Sequence, residues 1–172
     1  MNEFHHFLRT RRSIRRFKPD PVPASVVDRI LATTTFSPSA HNLQPWRFAI
    51  VQQTRPRQKL GEALTKKMRD DMTVEGAPQT DIDKRVSISL RRIVEAPVII
   101  LLCRDVTAIR KEEPEESMMA VQSVALAGLQ LLLAAHAEDL GGNWICWPLY
   151  AQKEARDALT LPETWQPQAM IF

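Results

Sequence analysis

The sequence predicts a fold of interleaved helices and strands, α/β or α+β, organised as one domain over residues 1–172. Three observations predict it. Four short runs read as strands, helical periodicities of three and four separate them, and 44% hydrophobic content in 172 residues is enough for one substantial core. The net charge is only +3, with nearly all of the surplus in one N-terminal run, so the charge describes one site and not a surface for a polyanion.

A helix pattern of Val22, Val26, Val27, Ile30 and Leu31 runs into Ser37-Pro38-Ser39-Ala40-His41-Asn42-Leu43-Gln44-Pro45-Trp46. Pro38 and Pro45 keep helix and strand from claiming the residues between them, leaving a loop that offers Ser39, His41, Asn42 and Gln44 as donors and acceptors. Residues 47–51 read as a strand. Residues 56–72 form a helix with Leu60, Leu64 and Met68 spaced by four, and residues 73–80 (TVEGAPQT) form a flexible loop. Asp81 caps the next helix, whose Ile82, Val86, Leu90 and Ile93 share one face. The unbroken run PVIILLC at 97–103 indicates a strand buried on both faces.

Residues 104–116 are a polar excursion whose Glu112, Glu113, Glu115 and Glu116 are expected to face water, and Ser117 suits the start of a long helix. The apolar tract at 118–137 approaches membrane-spanning length, but Gln122, Ser123, Gln130 and His136 interrupt it and Glu138-Asp139 end it. A helix apolar nearly all round must be covered on every side, most easily with help from a second subunit. Gly141-Gly142, a strand at 143–149, a helix at 152–159 and a last strand at 168–172 complete the chain. Cys103 and Cys146 sit in apolar runs with no disulfide or metal spacing, which suits a reducing cytoplasm, and no signal-peptide pattern precedes the basic start. His5, His6, His41 and His136 have no carboxylate pattern for a metal, and no catalytic triad spacing occurs.

The chemistry concentrates in residues 9–18, where Arg9, Arg11, Arg12, Arg15, Arg16 and Lys18 surround Ser13. A solvated basic face is one reading. Nucleic-acid binding is a second, but the run lacks stacking aromatics or a recognition helix. A phosphate clamp is the third, in which arginine forks and the Ser13 hydroxyl bond phosphate oxygens. No GxGxxG fingerprint occurs, so a terminal phosphate fits better than a dinucleotide.

RRSIR at 11–15 followed by SPSAHNLQPW at 37–46 resembles the nitroreductase family of flavin enzymes, in which an RxSxR start and an SPSxxNxQPW segment recur at about this separation. The resemblance selects the phosphate clamp. It implies an α+β fold with a mixed central sheet flanked by helices, a homodimer joined through long helices, and FMN as cofactor. By the same resemblance hydride passes from NAD(P)H through the flavin to a small acceptor such as a nitroaromatic, quinone or enone. Arg11, Ser13 and Arg15 become ligands of the FMN phosphate and ribityl chain, with Arg12 adding backbone or a second contact. Pro38, Ser39, Ala40, His41 and Asn42 match the segment that reaches the flavin held mainly by the other subunit, and Gln44, Pro45 and Trp46 match structural positions. His41 would bond the flavin edge or a substrate anion, or brace its loop.

LGGNWICWP at 140–148 is similar to the family's glycine-bearing segment that passes the isoalloxazine ring. Gly141 and Gly142 permit close backbone approach, and Trp144, Ile145 or Cys146 would supply an N–H to flavin N5. Asp139 stands where a glycine is usual, and Trp147 adds bulk near the presumed ring. Family members continue past the last strand into a tail with another basic phosphate ligand, whereas this sequence stops at Phe172; the grip rests on Arg11, Ser13 and Arg15 alone, or on a tail outside this sequence. SPSAHNLQPWRF, WICWPLY and LTLPETWQPQA are similar to the FMN-binding C-terminal domain of bifunctional ligases that make the deazaflavin coenzyme. That branch implies the alternative of a reductase acting on, or a non-catalytic module binding, a deazaflavin coenzyme or its precursor.

Overall fold

A computed structural model describes residues 2–172. Six helices, α1 (Glu3–Thr10), α2 (Ala24–Thr34), α3 (Thr54–Val74), α4 (Gln79–Glu95), α5 (Pro114–Ala137) and α6 (Gln152–Leu159), surround four strands, β1 (Trp46–Val51), β2 (Ile99–Asp105), β3 (Trp144–Ile145) and β4 (Trp165–Ile171). The sheet order is β1-β2-β4-β3. Every strand pair is antiparallel, so the class expected from the sequence holds but the mixed sheet does not. The one parallel pairing among the described residues is a single bridge between Ser13 and Gly142, and it lies outside the strands proper.

The unbroken apolar run predicted β2 correctly: it is central, and Ile99, Leu101, Leu102 and Cys103 are fully buried. On one face α3, α4 and α6 bring Leu60, Leu64, Ile93 and Ala155 against Leu101, Cys103 and Met170. On the other, α2 and α5 pack Val27, Ile30, Leu131 and Val124 against Ile100, Leu102 and Ala169. Full burial of each large aliphatic chain contributes about 1.5–3 kcal/mol.

Several boundaries differ from expectation for identifiable reasons. Helix α1 was not foreseen; Asn2 caps it by accepting the His5 N–H at 2.9 Å. The expected loop at 73–80 shrinks to four residues between α3 and α4, because Gly76 (φ 75°) closes α3 with paired bonds from Gly76 N–H to Thr73 and Ala77 N–H to Met72. Asp81 lies in the first turn of α4, where its charge faces the helix dipole, and does not cap it. Helix α5 starts at Pro114 and not at Ser117, with Glu113 at the cap position and proline's fixed φ suited to the first turn. The strand expected at 143–149 survives only as Trp144–Ile145, since Pro148 belongs to a 3-10 turn at Trp147–Tyr150. Strand β4 starts earlier than expected and accommodates Pro167 at a register shift opposite Leu102 and Cys103, a place where a missing N–H is tolerated.

Candidate flavin site

The basic arm and the glycine segment, more than 120 residues apart in sequence, lie side by side. Ile14 N–H donates to Gly142 C=O at 3.0 Å, which sets Ser13 beside Gly142. Both glycines are required sterically: a Cβ at Gly141 would lie 2.6 Å from Ile14 Cγ1, and one at Gly142 would lie 2.6 Å from Leu132 Cδ2. Arg12 is folded back, its Nη1 donating to the carbonyls of Arg9 (2.9 Å) and Arg11 (3.3 Å). Arg11, Ser13 and Arg15 differ. Among the described residues their side chains have no carboxylate or hydrogen-bond partner, which leaves two guanidinium forks and a hydroxyl for an incoming anion.

The ladder settles part of the question of the N–H donor. Asn143 and Phe172 exchange both backbone bonds at 3.2 Å, and Trp144 faces Ile171 and Ile145 faces Met170. Hydrogen-bonded and open pairs alternate in an antiparallel ladder, so Ile145 N–H turns toward β4 and Trp144 N–H turns to the outer edge, the edge on which Ser13 lies. Ile145 is thereby removed from the three candidates. Trp144 packs on α5, its Nε1–H donating to Cys146 Sγ at 2.9 Å. Asn143 is buried and its Nδ2 has no partner, which marks a donor awaiting an acceptor.

Ile145, Trp147, Met170 and Phe172 line a cleft of about 380 Å³ together with Arg85, Ile88, Ser89 and Arg92 of α4, whose polar members form a stripe. That size suits a small planar ligand. The sequence reading missed this stripe because it followed only the apolar face of α4; the signal was the spacing of three and four among 85, 89 and 92.

The Ser37–Trp46 loop is strained where chemistry was expected. His41 (φ 52°), Asn42 (φ 54°) and Gln44 (φ 49°) all adopt left-handed backbone, which costs an ordinary residue about 1 kcal/mol or more. The loop is tied to α5 and closed on itself. Ala40 N–H donates to Ser123 Oγ on α5 at 3.1 Å, and Gln44 N–H donates to Ser39 Oγ at 3.1 Å. Trp46 is buried, as its structural role requires, and Asp105 N–H donates to Pro45 C=O at 2.8 Å.

Glu116, expected to face water, is 5% exposed. Arg110 grips its Oε1 through Nη2 at 2.8 Å and Nε at 3.2 Å, and His41 Nε2 lies 4.0 Å from the same oxygen. The Arg110 hydrogen bond holds the Glu116 carboxyl below the usual carboxylate range, with smaller help from the Arg110 charge and from His41.

The tip of the loop and the glycines meet α5 at separate places, although Trp46 at the loop's end and Trp144 of the glycine segment share one apolar cluster. Ala40 contacts α5 at Ser123, whereas Leu140 N–H reaches α5 at Ala135 C=O (2.9 Å). Twelve residues of helix put these contacts about 18 Å apart. Along the same helix α5 exposes Met118 and Val121 ahead of Ser123, and Leu126 and Leu129 between the two contacts.

With both motifs in place, comparison with known proteins is decisive: residues 8–172 match the nitroreductase family. The chain belongs to the nitroreductase family. A protein of Methanothermobacter thermautotrophicus, provisionally named NADH dehydrogenase/NAD(P)H nitroreductase, is 29% identical over 166 residues, covering 95% of this chain and 72% of that one. A 5,6-dimethylbenzimidazole synthase of Rhodospirillum rubrum is 28% identical over 158 residues, covering 90% and 73%. A crystal structure of a provisionally named nitroreductase of Desulfovibrio desulfuricans, in complex with FMN, superposes with TM-score 0.75 at 27% identity, covering 99% of this chain and 84% of that one.

Proposed function

We propose that this nitroreductase-family protein is an FMN-dependent oxidoreductase that takes hydride from NAD(P)H and passes it to a small acceptor, a nitroaromatic, quinone or enone. The observation that carries the reading is the bridge between Ser13 and Gly142, which sets unpaired Arg11 and Arg15 beside a backbone segment whose two glycines let the basic arm and α5 pack close. The residues fit FMN: two free guanidinium groups for its phosphate, a buried Asn143 amide lacking an acceptor, and a cleft between Ile145, Trp147 and Arg92 for its ring. FMN supplies reversible two-electron chemistry that no side chain here provides.

The chain's own residues then bind and orient. Arg11, Ser13 and Arg15 hold the phosphate, Gly141 and Gly142 allow the backbone close, and Trp144 or Cys146 offers the N–H at the ring edge. The site is completed by a second copy of the chain. Since Ala40 and Leu140 meet α5 about 18 Å apart, a twofold pairing through the exposed face Met118, Val121, Leu126 and Leu129 would bring one subunit's loop to the other's glycine segment.

Arg11→Ala with Arg15→Ala tests the clamp. Losing two charge-assisted bonds of about 1.5 kcal/mol each raises the FMN Kd by about 100-fold or more, while riboflavin, which lacks the phosphate, changes little. Unaltered FMN affinity in a folded double variant refutes the assignment. A wild-type flavin that nicotinamides never reduce but a reduced deazaflavin does would replace NAD(P)H by that donor.

A further inference from the structure

The function just proposed leaves unassigned the partly exposed imidazole of His41 and the buried carboxylate behind it. Glu116 lies on the first turn of α5, almost wholly buried; its hydrogen bonds come from Arg110, and His41 Nε2 stands within ion-pair distance at 4.0 Å. A buried carboxylate is costly unless paired. Arg110 pairs it from the 106–113 loop, and a second cation, Arg104, is held at the same end of α5 by donating to Ser117 C=O at 3.1 Å. His41 is placed by a left-handed turn at φ 52° and ψ 19°, with Ala40 N–H tied to Ser123 beside it. Nε2 faces Glu116 Oε1 at 4.0 Å, so Nδ1 is the ring nitrogen left for a ligand, and the side chain is 41% exposed.

We propose that His41 is the proton donor to the reduced acceptor and that Glu116, anchored by Arg110, is the positioning residue that holds it. The proposal rests on the function above. Each two-electron reduction consumes one hydride and one proton: a quinone becomes a hydroquinone, NAD(P)H becomes NAD(P)+, and the imidazolium gives its Nδ1 proton to the acceptor oxygen on which negative charge develops. The neutral imidazole then regains a proton from solvent through its exposed edge. A donor placed at the loop that reaches the partner's site is needed only when the acceptor is reduced, because reduction by NAD(P)H consumes no proton from the protein.

The test measures the two half-reactions separately by anaerobic stopped flow in wild type, His41→Asn and Glu116→Gln. Asparagine is chosen because it accepts left-handed backbone without strain and cannot donate as an acid. His41→Asn should slow reoxidation by a quinone on the order of 100-fold more than it slows reduction by NAD(P)H, in line with the usual yield of general acid catalysis. The wild-type reoxidation rate should fall as rising pH removes the imidazole proton, and the variant's should lack that dependence. Glu116→Gln should give a smaller loss with a displaced pH profile.

An independent readout uses flavin-free protein: the side-chain carboxyl of Glu116, followed by carbon NMR, should titrate higher in Arg110→Ala and, by less, in His41→Asn. Equal loss in both half-reactions, an unchanged pH profile in His41→Asn, or a Glu116 titration that ignores His41 overturns the proposal. A wild type that takes up no flavin overturns the functional reading itself, and the proposal with it, whatever Glu116 does.

Discussion

Alanine at position 128 provides a sharp test of how α5 supports the flavin segment. In an ordinary exposed helix Gly→Ala stabilises by about 1 kcal/mol. Here the new Cβ would lie 2.0 Å from Trp144 Cζ3 and 2.9 Å from Leu102 Cδ2. Relief requires the indole to retreat by about 1.5 Å to reach ordinary contact distance, yet its Nε1–H is bonded to Cys146 and its backbone is laddered to β4. Overpacking of this kind costs about 1–3 kcal/mol. The net expectation is a loss of about 1 kcal/mol, seen as a lower urea midpoint with unchanged m and a Tm about 2–4 °C lower for a chain of this length. Because the displaced residue carries the outward N–H, FMN affinity should fall as well. In a Trp144→Phe background the clashing ring atoms are gone and only the Leu102 contact remains, so the same alanine should cost clearly less. A stabilising Gly128→Ala in wild type, or equal effects in the two backgrounds, refutes the reasoning.

Other predictions are as direct. Leu129→Glu, on the exposed face of α5, should convert a dimer to a folded monomer with weakened flavin binding, read by sedimentation and absorbance; a dimer that survives it would discount that face. Glu116 is held low by Arg110, and Asp105, which burial alone would raise, is brought low by Thr107 and Arg47. Stability from both is present above the ordinary carboxyl pKa of about 4 and is lost as pH falls through the lower folded-state values, so Arg110→Ala should move the acid-unfolding midpoint to higher pH. Burial pushes the Cys103 thiol up to about 12 while Cys146 is exposed; native protein should therefore take one alkyl group from iodoacetamide and unfolded protein two, counted by mass spectrometry.

Much of this architecture was legible in the sequence because it rests on local rules. PVIILLC favoured a doubly covered strand, and the spacing of Leu60, Leu64 and Met68 favoured a helix face. The bounds of α6 were read without error. What failed depended on partners distant in the chain. Glu116 looked like one of four solvated acids until Arg110 and His41 folded over it, and the parallel component of the sheet shrank to a single bridge. The strand after the two glycines was overextended because Trp147 and Leu149 read as apolar strand residues although Pro148 belongs to a turn. Arg92 and Ser89 escaped notice although their spacing with Arg85 marks a polar stripe, because only the fold brings Trp147 and Ile145 to the same cleft.

The most direct test of the central claim is the absorbance spectrum of the purified protein, reconstituted with FMN and titrated anaerobically with NADH and NADPH. The structure leads us to expect a bound flavin spectrum that bleaches with at least one nicotinamide and returns on addition of a quinone. Protein that retains no FMN after gel filtration, or retains a flavin that neither nicotinamide can bleach, would contradict it.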